Sequence, residues 1–394
     1  MNALADGKVK LGIEILLDQK LSLVTNQRVG LISHPAAIMP DYTHTLDALL
    51  AKGVNVTALF APEHGFHSAE ADGVAVNDAR EPRTGLPIFS LYGATLEPDP
   101  SMLDLVDTLI FDVQEVGVRF YTYISTLYYI LKASGASGKP VIVLDRPNPI
   151  NGIDLEGWSL EPGLESFIGI VSIPIRHGMT IGELALWMNQ TFLFNAPLTV
   201  IEMQGWKRWM WFDQTGLPWV STSPGIPQWV TTITYPATCF IEGTNLSEGR
   251  GTSLPFEICG APWINAYSLA ARLNKQNLPG VHFRPVQFIP STSKHAGKTC
   301  GGVQVHVVDR NIFRPISVGV NLLTAFRLEN PDHFEILSSS WEGHPPHLDL
   351  LAGTSEFRLG LQAGLRPDQI LASSRSFIEQ FAISRRPYLC YSEE

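Results

Sequence analysis

Between residues 29 and 144 the chain alternates short aliphatic runs with stretches of helical period, and this alternation constrains the fold more than any other feature. The runs at 29–32, 56–60, 108–113 and 141–144 are β-branched or aliphatic and short, which is strand character. Between them, 43–52 carries its apolar residues on one helical face and stops at Gly53, the residue type favoured just past a helix end. Residues 100–106 open behind Asp99, an N-cap residue type, and 121–133 form a longer amphipathic stretch stopping at Gly135. Thr180-Ile181-Gly182-Glu183 has capping-box spacing and starts a helix through Trp187. Strand, helix, strand, helix predicts an α/β fold whose parallel sheet is covered on both faces.

The loop cluster 221–227 (Ser-Thr-Ser-Pro-Gly-Ile-Pro) marks a division into 1–225 and 226–394. The second part mixes its signals less regularly: a helix at 266–273, an alternating strand at 303–308 and a terminal helix within 366–381. It reads as a smaller α+β domain. With 45% apolar residues over 394 positions, a large core is available. The 38 Asp+Glu outnumber the 28 Lys+Arg, a net charge of −10 that argues against nucleic acid or an anionic membrane as partner. No apolar run is long enough to span a bilayer, and the start of the chain lacks a charged segment followed by an apolar one. As written, the expected location is the cytoplasm, with export of a longer precursor still compatible. The four cysteines are far apart with no CxxC pair, as expected for buried free thiols.

Chemistry collects where the strands end. The first run leads to His34, the second to Glu63 and His64, the third to Glu115 and Arg119, and the fourth to Asp145, Arg146 and Asn148. Open parallel sheets bind ligands beyond the carboxyl ends of their strands, so these side chains should converge on one rim. Two carboxylates on facing loops suit glycoside hydrolysis, one giving a proton to the leaving oxygen and the other activating water or attacking the anomeric carbon. Glu63 directly follows an apolar strand, a setting that favours the protonated form a general acid needs. The competing reading makes it a structural carboxylate paired with Arg119 or Arg146.

Other chemistries lack their signatures. Glu63, His64 and His67 do not form HExxH and no third ligand has metal spacing, so no metal is expected. There is no GxGxxG after the first strand and no GxSxG elbow, and the glycine spacing at 135–140 is wrong for a phosphate loop, so no cofactor is expected either. Arg176 and His177 precede the capping box, where a helix N-terminus favours anions. The run 242–252, with Asn245, Glu248 and Arg250, packs glycines and charges together without apolar periodicity and reads as a ligand loop. Trp206, Trp209, Trp211, Trp219 and Trp229 cluster nearby and suit either sugar stacking or packing between domains.

Five of these segments together resemble one family. They are 61–65 (Ala-Pro-Glu-His-Gly), 114–123, 144–149, 176–183 and 242–252, and the similarity runs from Gly12 to Leu389. The chain resembles the NamZ-type exo-β-N-acetylmuramidases. The resemblance implies a Rossmann-like domain plus an ancillary domain, with the site in the cleft between them. It implies release of terminal N-acetylmuramic acid from the non-reducing end of peptidoglycan fragments, and it puts the family's catalytic glutamate on Glu63. At position 115 family members often carry Asp where this chain has Glu. Glu115 is thus the first candidate for the second carboxylate, with Asp145 behind it. His34, His64, Tyr123, Asn148, His177, Asn245 and Glu248 are candidate sugar contacts. The lactyl carboxylate of the sugar needs a cation, for which Arg119, Arg146, Arg176 and Arg250 are candidates. A muropeptide-binding protein without turnover is the alternative, and the missing nucleophile motif disfavours an esterase or amidase.

Overall fold

Strands β1 (Val29–Ser33), β2 (Val56–Ala61), β3 (Ala79–Arg80), β4 (Pro87–Ser90), β5 (Thr108–Asp112), β6 (Val141–Leu144) and β7 (Leu198–Ile201) form one sheet in the order β3-β4-β2-β1-β5-β6-β7. The structure, a computed structural model, describes residues 8–67, 74, 77–339 and 343–392. All neighbouring pairs in the sheet are parallel except β3 with β4.

Alternate residues of the central strands feed two cores. Ile32, Phe60, Phe111 and Val143 join one apolar cluster, while Leu31, Leu59, Ile110 and Ile142 join the other on the opposite face. All eight are buried, and full burial of such a side chain is worth about 1.5–3 kcal/mol. This explains why the strands read as continuous apolar runs, since a parallel sheet has no wet face.

The helices between strands start and stop largely as their caps dictate. The Asp99 side chain accepts from Met102 N (3.0 Å) at the head of Pro100–Leu103. The Thr180 and Glu183 side chains cap each other's backbone (3.3 and 3.0 Å) at the head of Ile181–Thr191. One expected boundary moves. The helix Tyr123–Ser137 runs through Gly135 and ends at Gly138, whose φ of 72° is the left-handed conformation of a C-cap. Gly135 serves packing instead, because a Cβ there would collide with the backbone of Phe194.

In the second half, β8 (Ile258–Ala261), β9 (Val281–Phe288) and β10 (Cys300–Val307) form an antiparallel sheet in the order β8-β10-β9. It packs with helices such as Ala266–Asn274 and Pro315–Glu329. β10 begins earlier than its alternation announces, because Gly301 and Gly302 hide the pattern. A Cβ on Gly302 would strike the carbonyl of Cys259, so the strand needs the glycine for close approach. The expected terminal helix is two helices, Pro367–Leu371 and Ser374–Ser384.

The two halves interlock. The first apolar cluster continues without a break from Phe111 and Trp158 to Phe240, Phe326 and Phe357. Near the other end of the chain, the Tyr391 hydroxyl donates to Asp145 Oδ2 (2.5 Å) and accepts from Met203 N (2.9 Å), while Cys390 N donates to Glu183 Oε1 (2.8 Å). Cys239, Cys259, Cys300 and Cys390 are free thiols, the first three buried. Among the described residues, no helix is long and apolar enough to cross a membrane.

Candidate active site

β2 delivers the chain to a tight turn at the edge of a cleft. After Ala61, Gly65 N donates to Pro62 O (3.0 Å), and His64 and Gly65 take φ of 71° and 81°. A histidine held in the left-handed region is uncommon, and it marks a turn whose geometry is set by its surroundings. This turn aims Glu63 into the cleft with only 7% of its surface exposed. Thr122 Oγ1, just ahead of the helix Tyr123–Ser137, donates to Glu63 Oε2 at 2.6 Å.

The cleft has a volume of about 730 Å³, within the range of small-ligand sites. The first half contributes Glu63, His64, Tyr92 and the segment 120–122. Tyr121 and Tyr123 fix the loop 221–227, donating to Thr222 Oγ1 (2.7 Å) and Thr222 O (2.5 Å) respectively. Residues 223–226 of that loop line the cleft beside them.

The facing wall comes from the second half and is charged. Arg250 donates to Glu242 Oε1 through Nε (3.0 Å) and Nη2 (2.8 Å) and lies over the Phe256 ring at 4.8 Å. Lys294 pairs with Glu248 Oε2 at 2.9 Å and also donates to the carbonyls of Ile241 and Thr244, each at 3.0 Å. Burial by itself would raise the Glu242 carboxyl, but Arg250, His347 and Lys294 outweigh it and hold the group below its ordinary value. His347 completes the wall, and burial lowers its pKa despite the pull of Glu242.

Residues 29–230 match the family described as "Exo-beta-N-acetylmuramidase NamZ, N-terminal", and 233–391 match its C-terminal counterpart. The chain belongs to the NamZ exo-β-N-acetylmuramidase family. It is 44% identical over 385 residues to the peptidoglycan β-N-acetylmuramidase NamZ of Bacillus subtilis strain 168, covering 98% of this chain and 92% of that one. Two crystal structures of DUF1343 family proteins from Bacteroides fragilis NCTC 9343 share its fold. One has a TM-score of 0.88 at 34% identity (99% of this chain, all of that one), the other 0.78 at 30% (98% and all).

Within this NamZ-family fold the residues expected at the site, from the strand-end rim, the 176–177 turn and the 242–252 loop, separate into two layers. Glu63, His64, Glu248 and Arg250 line the cleft. The others do not line it, and most of them knit the floor together. Arg146 pairs with Asp112 (Nε to Oδ1, 2.5 Å; Nη2 to Oδ2, 2.9 Å), and His34 Nε2 accepts from Gln114 N (2.9 Å). The crevice beside β1, where an open parallel sheet reverses its winding, is therefore filled by the protein's own ion pair. Asp145 accepts from Thr180 Oγ1 (2.7 Å), Gly182 N (2.8 Å), Arg146 N (3.0 Å) and Tyr391. Glu115 is 1% exposed, accepts from Gly117 N and sits 3.5 Å from His177 Nε2. Asn148 donates to Met179 O (2.9 Å), and Arg176 bonds Asp154, Glu156 and the carbonyl of Ile150. Tyr123 is buried against His34, with ring centroids 5.0 Å apart.

Arg119 finds no carboxylate in its hydrogen bonds. Its guanidinium spans four carbonyls, those of Trp158 (2.7 Å) and Ile173 (2.9 Å) in the first half and Leu351 (3.2 Å) and Ala352 (2.7 Å) in the second. Asn245 bonds the backbone of His333 and Glu335 away from the cleft. None of the five clustered tryptophans lines the cleft. Trp206 and Trp211 instead lie against Arg208 and Arg176. The residues that sequence reasoning passed over are Thr122, Glu242, Lys294 and His347. The first two stand inside quoted motifs, whereas Lys294 and His347 lie in segments with no signature and reach the site only through folding.

Proposed function

We propose that the chain cleaves terminal N-acetylmuramic acid from the non-reducing end of peptidoglycan fragments, with Glu63 as general acid. The glycosidase class follows from family membership. The observation that carries the role of Glu63 is its placement, at the mouth of β2 in the cleft between the halves with one oxygen held by Thr122. A carboxyl there can give its proton to the glycosidic oxygen as the bond breaks. The carboxylates that share the cleft with it among the described residues are Glu242 and Glu248. What supports moving the second role to them is that the oxygens of Asp145 are taken up by four donors and that neither Asp145 nor Glu115 lines the cleft. His64 and Arg250 face the same space and would contact the sugar.

The test compares two leaving groups. Glu63→Gln should lose about 10²–10⁴-fold in kcat/KM on the disaccharide N-acetylmuramyl-N-acetylglucosamine. It should lose much less on an aryl β-N-acetylmuramide, whose leaving oxygen needs little protonation. Equal activity of variant and wild type on the disaccharide would remove Glu63 from the chemistry. Binding of the disaccharide without turnover by the wild type would point to the muropeptide-binding alternative.

A further inference from the structure

The charged wall of the cleft is balanced in an unusual way. Glu242 is matched by Arg250 and Glu248 by Lys294, so the four groups sum to zero. His347 sits among them with its charge suppressed by burial. An anion entering this space adds a negative charge to a set with no surplus of positive charge, in a setting where unbalanced charge is costly. On this wall, the titratable group placed to answer it is the His347 imidazole.

We propose that Arg250 and His347 form the subsite for the carboxylate of the lactyl ether on N-acetylmuramic acid, and that His347 takes up a proton from solvent when that carboxylate binds. The inference rests on the muramidase reading above. Arg250 supplies a fixed positive charge: Glu242 holds its Nε–Nη2 edge and the Phe256 ring lies against the guanidinium. The helix that carries His347 is held at both ends. It opens the helix His347–Ala352, and Gly243 lets the Leu348 backbone approach to 2.7 Å of where a Cβ would stand. At the other end of that helix, the Leu351 and Ala352 carbonyls are gripped by Arg119. Among the described residues, the charges acting on it come from Glu242 in the segment Cys239–Gly243 and Lys294 in the β9–β10 loop, and the Cys239 thiol lines the same cleft. On its own helix Asp349 is paired with Arg358 of Glu356–Ala363 at 2.8 Å. Glu242 favours the imidazolium and Lys294 opposes it. A bound carboxylate adds to the side of Glu242.

The sign of the linkage follows. With its pKa low in the empty cleft and raised in the complex, His347 takes up a proton on binding between those two values, so affinity falls as pH rises through that window. Calorimetric titration of the full chain with free N-acetylmuramic acid, between pH 5.5 and 8.5, should show Kd rising by as much as about tenfold per pH unit within the window. N-acetylglucosamine, which lacks the lactyl group, should give a curve without that rise. His347→Gln should flatten the N-acetylmuramic acid curve to match. Arg250→Lys should weaken N-acetylmuramic acid about tenfold and N-acetylglucosamine much less. Parallel curves for the two sugars, or a slope that survives in His347→Gln, overturn the proposal. Disaccharide hydrolysis separates the two levels: an active enzyme with parallel curves keeps the muramidase reading and loses this subsite. Lactyl-selective, pH-dependent binding without hydrolysis does the reverse.

Discussion

Replacing Arg119 by Met tests how the halves are joined. The guanidinium gives hydrogen bonds to four buried carbonyls, two in each half. Leaving a buried acceptor without its donor costs about 1–3 kcal/mol, so the four together represent roughly 4–12 kcal/mol. Against this stands the burial of the charge itself. Desolvation pulls the guanidinium well below its ordinary value, down to about 9, which corresponds to roughly 5 kcal/mol that a methionine would not bear. The centre of the first range less the second leaves a net destabilisation of about 3 kcal/mol. At roughly 2.1 cal/mol/K of unfolding entropy per residue, this lowers Tm by about 4 °C. Differential scanning calorimetry reads it directly. The segment after Arg119 holds Thr122, and the helix it grips carries His347, so kcat/KM on the disaccharide should fall in the same variant. Arg119→Lys, which keeps the charge but addresses fewer carbonyls, should lie between. A methionine variant as stable as the wild type would show that the burial cost exceeds the hydrogen bonds, and the account of Arg119 as the clamp would fail.

Three further outcomes can be measured. Thr122→Val removes the hydrogen bond to Glu63 and should lower kcat/KM by about tenfold or more, with Thr122→Ser restoring it; an unchanged rate would separate Thr122 from the acid. Gly353→Ala forces a Cβ onto a residue at φ 78° and against Ser159 O and the Arg119 guanidinium, and should cost at least about 2 kcal/mol in urea unfolding. Asp145 is raised from 3.8 to about 7, chiefly by burial, against the opposing bonds from Tyr391, Gly182 and Thr180. A raised acid contributes stability that is present below its unfolded value and lost as pH climbs through the folded one. Between pH 4 and 7 the wild type should therefore lose up to roughly 4 kcal/mol relative to Asp145→Asn, read from urea midpoints across that range.

Much of the first half was legible because its physics is local. β1, β2, β5 and β6 announce themselves as apolar runs since both faces are buried, and Asp99 and Thr180 cap the helices their side chains predict. Glycine was the ambiguous letter. Gly53 and Gly138 end helices, whereas Gly135, Gly301 and Gly302 are there for close approach, and only the neighbouring chain distinguishes the two uses. The site divided along the same line. A strand end locates Glu63, but nothing in the order of residues says which polar groups beyond a strand face solvent and which satisfy one another underneath. Asp112 takes Arg146, and Thr180 and Gly182 take Asp145, because those partners lie beside them in space. Lys294 and His347 were invisible for the complementary reason, as each lies in a segment with no motif and enters the cleft through the packing of the second half.

The bond from Tyr391 to Asp145 also bears on how the chain can be made. The polypeptide emerges in order, and the first half has its sheet and caps available early, as domains usually do during synthesis. Yet the carboxylate at the end of β6 waits for a hydroxyl 246 positions later, and Arg119 waits almost as long for the carbonyls at 351 and 352. Until then Asp145 has only Thr180, Gly182 and the Arg146 amide, and Arg119 only the carbonyls of Trp158 and Ile173, beneath the future cleft. The first half is thus a partly completed body during translation, and its final tightening coincides with the arrival of the segment around residue 390.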